Sequence, residues 1–238
     1  MRRLAGAIQF LTLLPVRGST APPGECAAWF PLVGAGLGAA AWGVHAAARA
    51  GLPEPLAALF PLAFLLLATG ALHEDGLADV SDAIRGHRPR ETMLAILKDS
   101  RIGTFGAAAL MMSLLARWQA MAVLADPRGL AASGALSRMT IVVLAAASPP
   151  AGGGLGAEFV GGLTKSAALA AIALGAAGAA AAVGARAGPL LLAQAALVLA
   201  ARAWYLRRLG GVNGDCLGAA AVVSEMVSLV LLACPSCT

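Results

Sequence analysis

Charge is what this sequence has least of: Asp, Glu, Lys and Arg together make up 12% of its 238 residues, against 59% hydrophobic residues and a mean hydropathy of +0.81. A soluble domain of this length needs far more polar surface than that, so the surplus apolar side chains must face lipid. Cysteine is scarce as well. Of the four present, the only close pair is Cys234-Pro-Ser-Cys237, and without a second such pair a structural zinc site is excluded. The cysteines read as incidental, with a disulfide on the outer side as the alternative. No internal repeat is evident, and the long apolar runs leave little chain for a separate soluble domain. The expectation is a single membrane domain over residues 1–238, an all-α polytopic integral membrane helical bundle.

Stretches approaching the ~20 residues that cross a hydrocarbon core lie at 29–48, 55–72, 104–124, 129–147, 166–183, 188–205 and 216–233. The fifth is so rich in Ala and Gly that six or seven transmembrane helices are expected. The 29 glycines suit close helix packing in lipid, where small residues let backbones approach. The opening run, 4–16, is too short to span and is broken by Pro15. Arg17 and the lack of a small-x-small cleavage pattern favour an interfacial helix over a signal peptide, so 1–27 is read as a cytoplasmic or interfacial N-terminus. With the N-terminus inside and seven spans, twelve of the 17 basic residues fall in inner segments and three, Arg49, Arg128 and Arg186, in outer loops. Arg117 and Arg138 lie within spans. This asymmetry fits the rule that positive charge stays on the cytoplasmic side, and predicts a multi-pass membrane protein with its C-terminus outside. The net charge of +5 is then mostly a topology signal, with contact to membrane lipid or an anionic substrate as further roles; nucleic-acid binding has no support.

Six of the twelve acidic residues fall between Glu74 and Asp99, in a segment, 73–103, read as a cytoplasmic active-site loop. If 75–82 is helical, Asp75, Asp79 and Asp82 stand at i, i+4 and i+7, within an arc of roughly 60°. Three like charges on one face repel unless neutralised. Either Arg85, Arg88 and Arg90 pair with them, or a cation sits between them; at a membrane boundary the second reading leads. Oxygen-only ligands suit magnesium, which bridges carboxylates to substrate phosphates. A second polar knot supplies what a phosphate needs: Lys98 and Arg101 bring charge, Ser100 a hydroxyl, and Gly103 and Gly106 flank a helix start, whose N–H groups attract anions. A third, Gly210-Gly-Val-Asn-Gly-Asp215, precedes the last span on the same expected face, and Asp215 is either a further ligand or an N-cap. Arg138, near the middle of its span, reaches either the site or a structural ion pair; Arg117 either snorkels or pairs internally. His45 reads as structural, and 148–162, with Pro149-Pro150 and a glycine run, as a flexible inner loop able to close over a bulky substrate.

At these residues the chain resembles the cobalamin synthase family, the adenosylcobinamide-GDP ribazoletransferases. The resemblance runs through Phe10-Leu-Thr-Leu-Leu-Pro-Val16, Phe30-Pro-Leu-Val-Gly34, His73-Glu-Asp-Gly-Leu-Ala-Asp79 with Asp82, Lys98-Asp-Ser-Arg-Ile-Gly-Thr-Phe-Gly106, Gly154-Leu-Gly156 and Gly210-Gly-Val-Asn-Gly-Asp215, nearly the whole length. It departs from the family pattern at Ala83, where Gly is expected, at Asn213, where Thr is usual, and at Glu74, which occupies an ordinarily apolar position. No carboxylate is lost.

The resemblance implies a magnesium-dependent transferase that joins α-ribazole, or its 5′-phosphate, to adenosylcobinamide-GDP with release of GMP, in the nucleotide-loop step of cobalamin assembly. Asp75, Asp79 and Asp82 would hold one or two Mg²⁺ ions, and Lys98 and Arg101 the leaving phosphate. Asp99, Ser100, Arg138, Asn213 and Asp215 complete the candidate substrate site, and His73 is either the general base or a cap of the aspartate helix. A homo-oligomer, or association with other late enzymes of the pathway, is a further expectation. A phosphotransferase of CDP-activated alcohols also clusters aspartates at a membrane edge, but its motif has Arg where this chain has Asp79, and its downstream aspartate pair is missing here. A transporter would set its acids near the midplane.

Overall fold

The computed structural model describes residues 2–18, 20–86, 88–124 and 126–234, and among them only helices form, apart from one bridge between Pro150 and Val212. In chain order they are α1 (Arg2–Leu11), α2 (Pro23–Cys26), a 3₁₀ turn (Ala27–Trp29), α3 (Phe30–Arg49), α4 (Glu54–Ala57), α5 (Leu59–Thr69), α6 (Leu72–Ala83), α7 (Arg90–Ile96), α8 (Thr104–Val123), α9 (Arg128–Ala146), α10 (Leu155–Gly162), α11 (Lys165–Val183), a 3₁₀ turn (Gly184–Arg186), α12 (Ala187–Leu209) and α13 (Gly214–Ala233). Cys237, and with it the proposed C-terminal disulfide, lies outside the described residues.

Among the described residues five helical stretches are long and apolar enough to cross a membrane: Pro23–Arg49, Thr104–Val123, Arg128–Ala146, Lys165–Leu209 and Gly214–Ala233. The fourth, of 45 residues, is a hairpin. Gly184 breaks it with φ +61°, and the adjacent α9 residues Met139 and Thr140 meet Gly175 and Gln194 respectively. In a straight helix those two partners would stand roughly 28 Å apart. A sixth candidate is the bent pair Glu54–Thr69 and Leu72–Ala83, which meet at 88°. The chain is thus an all-α, multi-pass membrane protein, and the expected second span ends at Thr69 rather than 72. Gly70 and Ala71 are both left-handed there, at φ +64° and +52°, which turns the chain sharply before α6 begins.

α9 is the central helix. Its apolar window is 83% buried, whereas those of α8 and of the α11–α12 hairpin are 28% buried and present their leucines outward. Small residues set how closely the neighbours approach. Gly34 and Gly134 face each other so tightly that a methyl on either would overlap the other's carbonyl, and Gly38, one turn along α3, lies equally close to the Leu130 carbonyl. This is the small-xxx-small register at work. Hydrogen bonds then thread α9, α12 and α13 together: Ser137 Oγ donates to the Ala221 carbonyl at 2.8 Å, Thr140 Oγ1 lies 3.2 Å from both Gln194 Oε1 and Ser224 Oγ, and Gln194 Nε2 donates to Ser228 Oγ at 2.9 Å. In a bundle surrounded by lipid such bonds contribute about 0.6 kcal/mol each. At ten residues α1 is too short to span, as expected of the opening run; it buries Gly6, Ala7 and Leu11 while Arg2 and Arg3 stay exposed.

The α3–α9 contact predicts a sharp positional contrast. Gly34→Leu should lower the thermal stability of the detergent-purified protein by about 1–3 kcal/mol through overpacking, whereas Gly36→Leu, with nothing within 4 Å of where its Cβ would stand, should stay within about 0.5 kcal/mol. Equal melting temperatures for the two variants would refute the close approach.

Candidate active site

The site is built where α6 crosses α13. Gly76 lies against the Asp215 backbone, where a methyl would sit 2.7 Å from the Asp215 carbonyl oxygen, and Gly218 lies against His73. The two glycines let Asp75, on α6, and Asp215, on the first turn of α13, open into one cavity of about 580 Å³. Its wall also carries His73, Lys98, Asn213 and the glycines of 152–156. Residues from all three polar knots therefore converge, as their order along the chain suggested.

Residues 72–83 are helical, so Asp75, Asp79 and Asp82 do share a face. The basic residues beside them are occupied elsewhere. Arg88 Nη1 donates to the Asp82 carbonyl at 3.0 Å, Arg85 lies over the Phe105 ring and the Arg90 guanidinium rests beside Gly210. Among the described residues no ion pair or hydrogen bond engages the carboxylates of Asp75 or Asp79. Asp82 is different. Its Oδ2 accepts from Gly103 N–H at 2.6 Å and its Oδ1 from Gly106 N–H at 2.9 Å, while a methyl on either glycine would overlap the carboxylate. The start of α8 does hold an anion, as its glycines implied, but that anion is the protein's own Asp82.

The same reading applies at α13. Asn213, not Asp215, is its N-cap, accepting from Cys216 N–H at 3.0 Å, and Asn213 Nδ2 donates to Asp215 Oδ2 at 2.8 Å, which aims that carboxylate. His73 does not cap α6, whose N-terminus carries no side-chain cap; it is buried, between the cavity and the ion cluster described below. Lys98 lines the cavity and forms no ion pair among the described residues. Arg101 instead points to solvent and grips Asp99, with Nη2 2.6 Å from Oδ2. Those hydrogen bonds hold the Asp99 carboxyl at about 2, so it stays ionised across the working pH range. Ser100 is exposed on the same loop.

Residues 148–162 are less loose than expected. Ala151 N–H donates to the Val212 carbonyl at 2.8 Å, Val212 N–H to the Pro149 carbonyl at 2.9 Å, and Gly156 abuts Gly214. α10 then carries Phe159 into the cavity wall. The expected free loop is an anchored wall, because two backbone bonds and a glycine contact fasten it to the third knot.

Behind His73 lies a cluster that was only half visible in sequence. Arg117 Nη1 contacts Glu74 Oε1 at 2.9 Å and Glu225 Oε1 at 3.3 Å, and Arg138 Nη1 contacts Glu225 Oε2 at 2.8 Å and Ser137 Oγ at 3.2 Å. All four charged groups are buried. Arg138, a candidate for substrate contact, is thus placed in an ion pair, and Arg117 pairs internally. Glu225 went unnoticed; an acidic residue in the last span of a chain with two intramembrane arginines was the available signal. His45 is structural, with Nε2 2.8 Å from Glu54 Oε1, beside an Arg49–Glu54 pair at 2.6 Å.

Which residues fit a metal follows from the donor chemistry. Asp75, Asp79 and Asp215 offer carboxylate oxygens that interact electrostatically with one another and that no arginine among the described residues pairs with. Among the described residues no three or more His, Cys, Asp or Glu side chains are grouped closely enough to hold a metal ion by themselves. Magnesium does not require such a group, since it is usually held by one or two carboxylates together with substrate phosphates.

The cobalamin-5-phosphate synthase family model matches residues 3–233. Proteins named adenosylcobinamide-GDP ribazoletransferase are similar throughout: that of Bradyrhizobium diazoefficiens is 41% identical, covering 95% of this chain and 91% of its own, that of Geotalea daltonii 35% identical, covering 95% and 94%, and that of Brevibacillus brevis 35% identical, covering 98% of each. No solved structure matches the chain.

Two stability predictions come from this geometry. Asp82→Ala removes a cap from two amides and should lower stability by about 1–2 kcal/mol, measured as a fall in melting temperature; an unchanged value would mean the carboxylate is not holding α8. Glu225→Gln leaves Arg117 with Glu74 alone and strips Arg138 of its carboxylate partner, and should destabilise by about 3–5 kcal/mol, partly restored by adding Arg138→Met. Absence of any such restoration would show that the pair is not coupled.

Proposed function

The chain belongs to the cobalamin-5-phosphate synthase family, and from that premise we propose that its cavity is the active site of an adenosylcobinamide-GDP ribazoletransferase. The enzyme acts in the nucleotide-loop assembly step of cobalamin biosynthesis, joining α-ribazole or its 5′-phosphate to adenosylcobinamide-GDP. The observation that carries the site assignment is the convergence of Asp75, His73, Lys98 and Asp215 on one cavity.

In the reaction a ribose hydroxyl attacks the phosphorus on the cobinamide arm. A new P–O bond forms, the pyrophosphate P–O bond breaks, and GMP leaves with that oxygen and its electron pair. The hydroxyl proton passes to a base in the wall, either His73 or an aspartate beside it. Displacement at a pyrophosphate depends chiefly on neutralising and positioning its charge. Lys98, at the wall with no ion pair among the described residues, is placed to receive a phosphate; Arg101 receives one only by exchanging it for Asp99. Asp75 and Asp215, the latter aimed by Asn213, are the two cavity carboxylates that would hold Mg²⁺ together with substrate phosphate, with Asp79 one turn behind on the same face of α6, while Asp82 keeps α8 in register beside them. Bound there, the ion would offset pyrophosphate charge and lower the pKa of the attacking hydroxyl. The excess of basic residues in the segments flanking the site supports a cytoplasmic active face in the inner membrane. Self-association, or contact with other late enzymes of the pathway at that face, belongs to the same proposal.

The test is GMP and corrinoid product formation by detergent-purified protein given adenosylcobinamide-GDP, α-ribazole and Mg²⁺. The intact chain should form both products together, and chelation by EDTA should abolish them. Asp75→Asn should reduce kcat at least a hundredfold without lowering the melting temperature. Turnover that persists through Asp75→Asn and EDTA would move the site, and none by the folded intact chain would refute the activity.

A further inference from the structure

The cavity has two unlike walls. One is polar, with His73, Asp75, Lys98, Asn213 and Asp215; the other is apolar and aromatic, with Phe10 of α1 and Phe159 of α10. The aromatic wall is one side of a three-ring cluster. Phe10 lies 5.5 Å from Phe30 and 6.1 Å from Phe159, centroid to centroid, and Phe30 lies 5.4 Å from Phe159, with the three rings within 18° of parallel. Phe30 and Phe159 are almost fully enclosed, whereas Phe10 retains exposed surface. Phe10 is thus the partly open ring of a buried aromatic cluster at the cavity wall, where another flat ring can pack against it.

Size and polarity select which ring. A cavity of about 580 Å³ is of the class that holds one drug-sized ligand, and a corrinoid with its nucleotide arm is several times larger, so the corrinoid stays outside. That leaves the nucleoside substrate or the guanine of the GDP arm. Guanine carries donors and acceptors around its edge, all of which need partners when buried. The apolar side chains that line the cavity together with Phe10 and Phe159, among them Leu94, Leu97, Ile141 and Leu155, supply none. The methylated bicyclic base of α-ribazole asks for only one, at its free ring nitrogen. Gln9 lies on the wall beside Phe10, and with its Oε1 accepting from Thr20 Oγ1 at 2.8 Å its amide N–H groups are left to meet that nitrogen.

We propose that the aromatic wall is the subsite for the planar, weakly polar base of the nucleoside substrate, with Phe10 as the stacking ring. The assignment rests on the transferase reading. It orients the nucleoside so that its base enters against α1 and α10 while its ribose is left toward the carboxylates and Lys98. Phe10 is accordingly a specificity-determining residue for the nucleoside and not for the corrinoid.

Equilibrium dialysis of radiolabelled α-ribazole against the detergent-purified full chain, without corrinoid, tests it directly. The intact chain should bind, and excess GMP should not displace the label. Phe10→Leu should weaken binding about tenfold, as expected for loss of one base–aromatic stack, and raise KM for α-ribazole by a similar factor while KM for adenosylcobinamide-GDP stays within about twofold. Phe10→Trp, which keeps a ring, should bind as well as the intact chain and covers the case in which the leucine variant folds poorly. Displacement by GMP, or GMP formation by both chains with identical α-ribazole constants, would overturn the subsite while leaving the activity standing. An intact, folded chain that neither binds α-ribazole nor forms GMP would overturn both.

Discussion

The structure hangs on the neutralisation of two buried arginines. Arg117 on α8 and Arg138 on α9 cannot be solvated inside the bundle, and Glu74 on α6 and Glu225 on α13 are the carboxylates that reach them. Breaking such a cluster strands an uncompensated charge, so four helices are held to one arrangement. α6 gains most from this. Because Glu74 points inward to Arg117, its neighbours His73 and Asp75 can reach the cavity, and the face bearing Asp79 and Asp82 is fixed with them. A cluster buried behind His73 thereby sets the direction in which the side chains of α6 face the cavity.

Much of the fold was legible because lipid imposes a simple grammar. Helix length, the sparsity of charge and the glycine pattern gave the spans to within a few residues, and the i, i+4, i+7 spacing of Asp75, Asp79 and Asp82 correctly put them on one face. Tertiary partnership was not legible. Nothing local in Asp82 distinguishes it from Asp75, yet only Asp82 meets amides more than twenty residues away. Asp215 reads equally as a ligand or a cap, and Asn213, two residues earlier, occupies the cap and holds the Asp215 carboxylate. The glycines of 152–156 suggested freedom, but the Ala151–Val212 and Val212–Pro149 hydrogen bonds and the Gly156–Gly214 contact anchor the segment on either side of them. In each case the residue type was read correctly and the partner, set by packing, decided the role.

The site also shows why the chemistry sits at a break in the helical pattern. Had α5 and α6 run on as one helix, the aspartates would have entered the apolar layer, where ionised carboxylates are disfavoured. The left-handed pair Gly70–Ala71 swings α6 aside by 88°, and the first turns of α13 pack along it at Gly76 and Gly218. A polar pocket is thus assembled from helix ends and short connections. The central helices below it remain dense and rigid.

The chain position of Glu225 has a consequence for how the protein is made. Segments enter the membrane in order of synthesis, so Arg117 emerges with Glu74 already available, but Arg138 enters the bilayer some ninety residues before its carboxylate partner Glu225 is translated. Until α13 arrives, the half-built bundle carries a lone cation that must linger near an interface or a water-filled gap. Insertion of α13 supplies the counter-charge and the second half of the cavity in one event, so a nascent chain stalled before α13 has neither a settled core nor an active site, and completion of the catalytic pocket is timed to the final step of membrane integration.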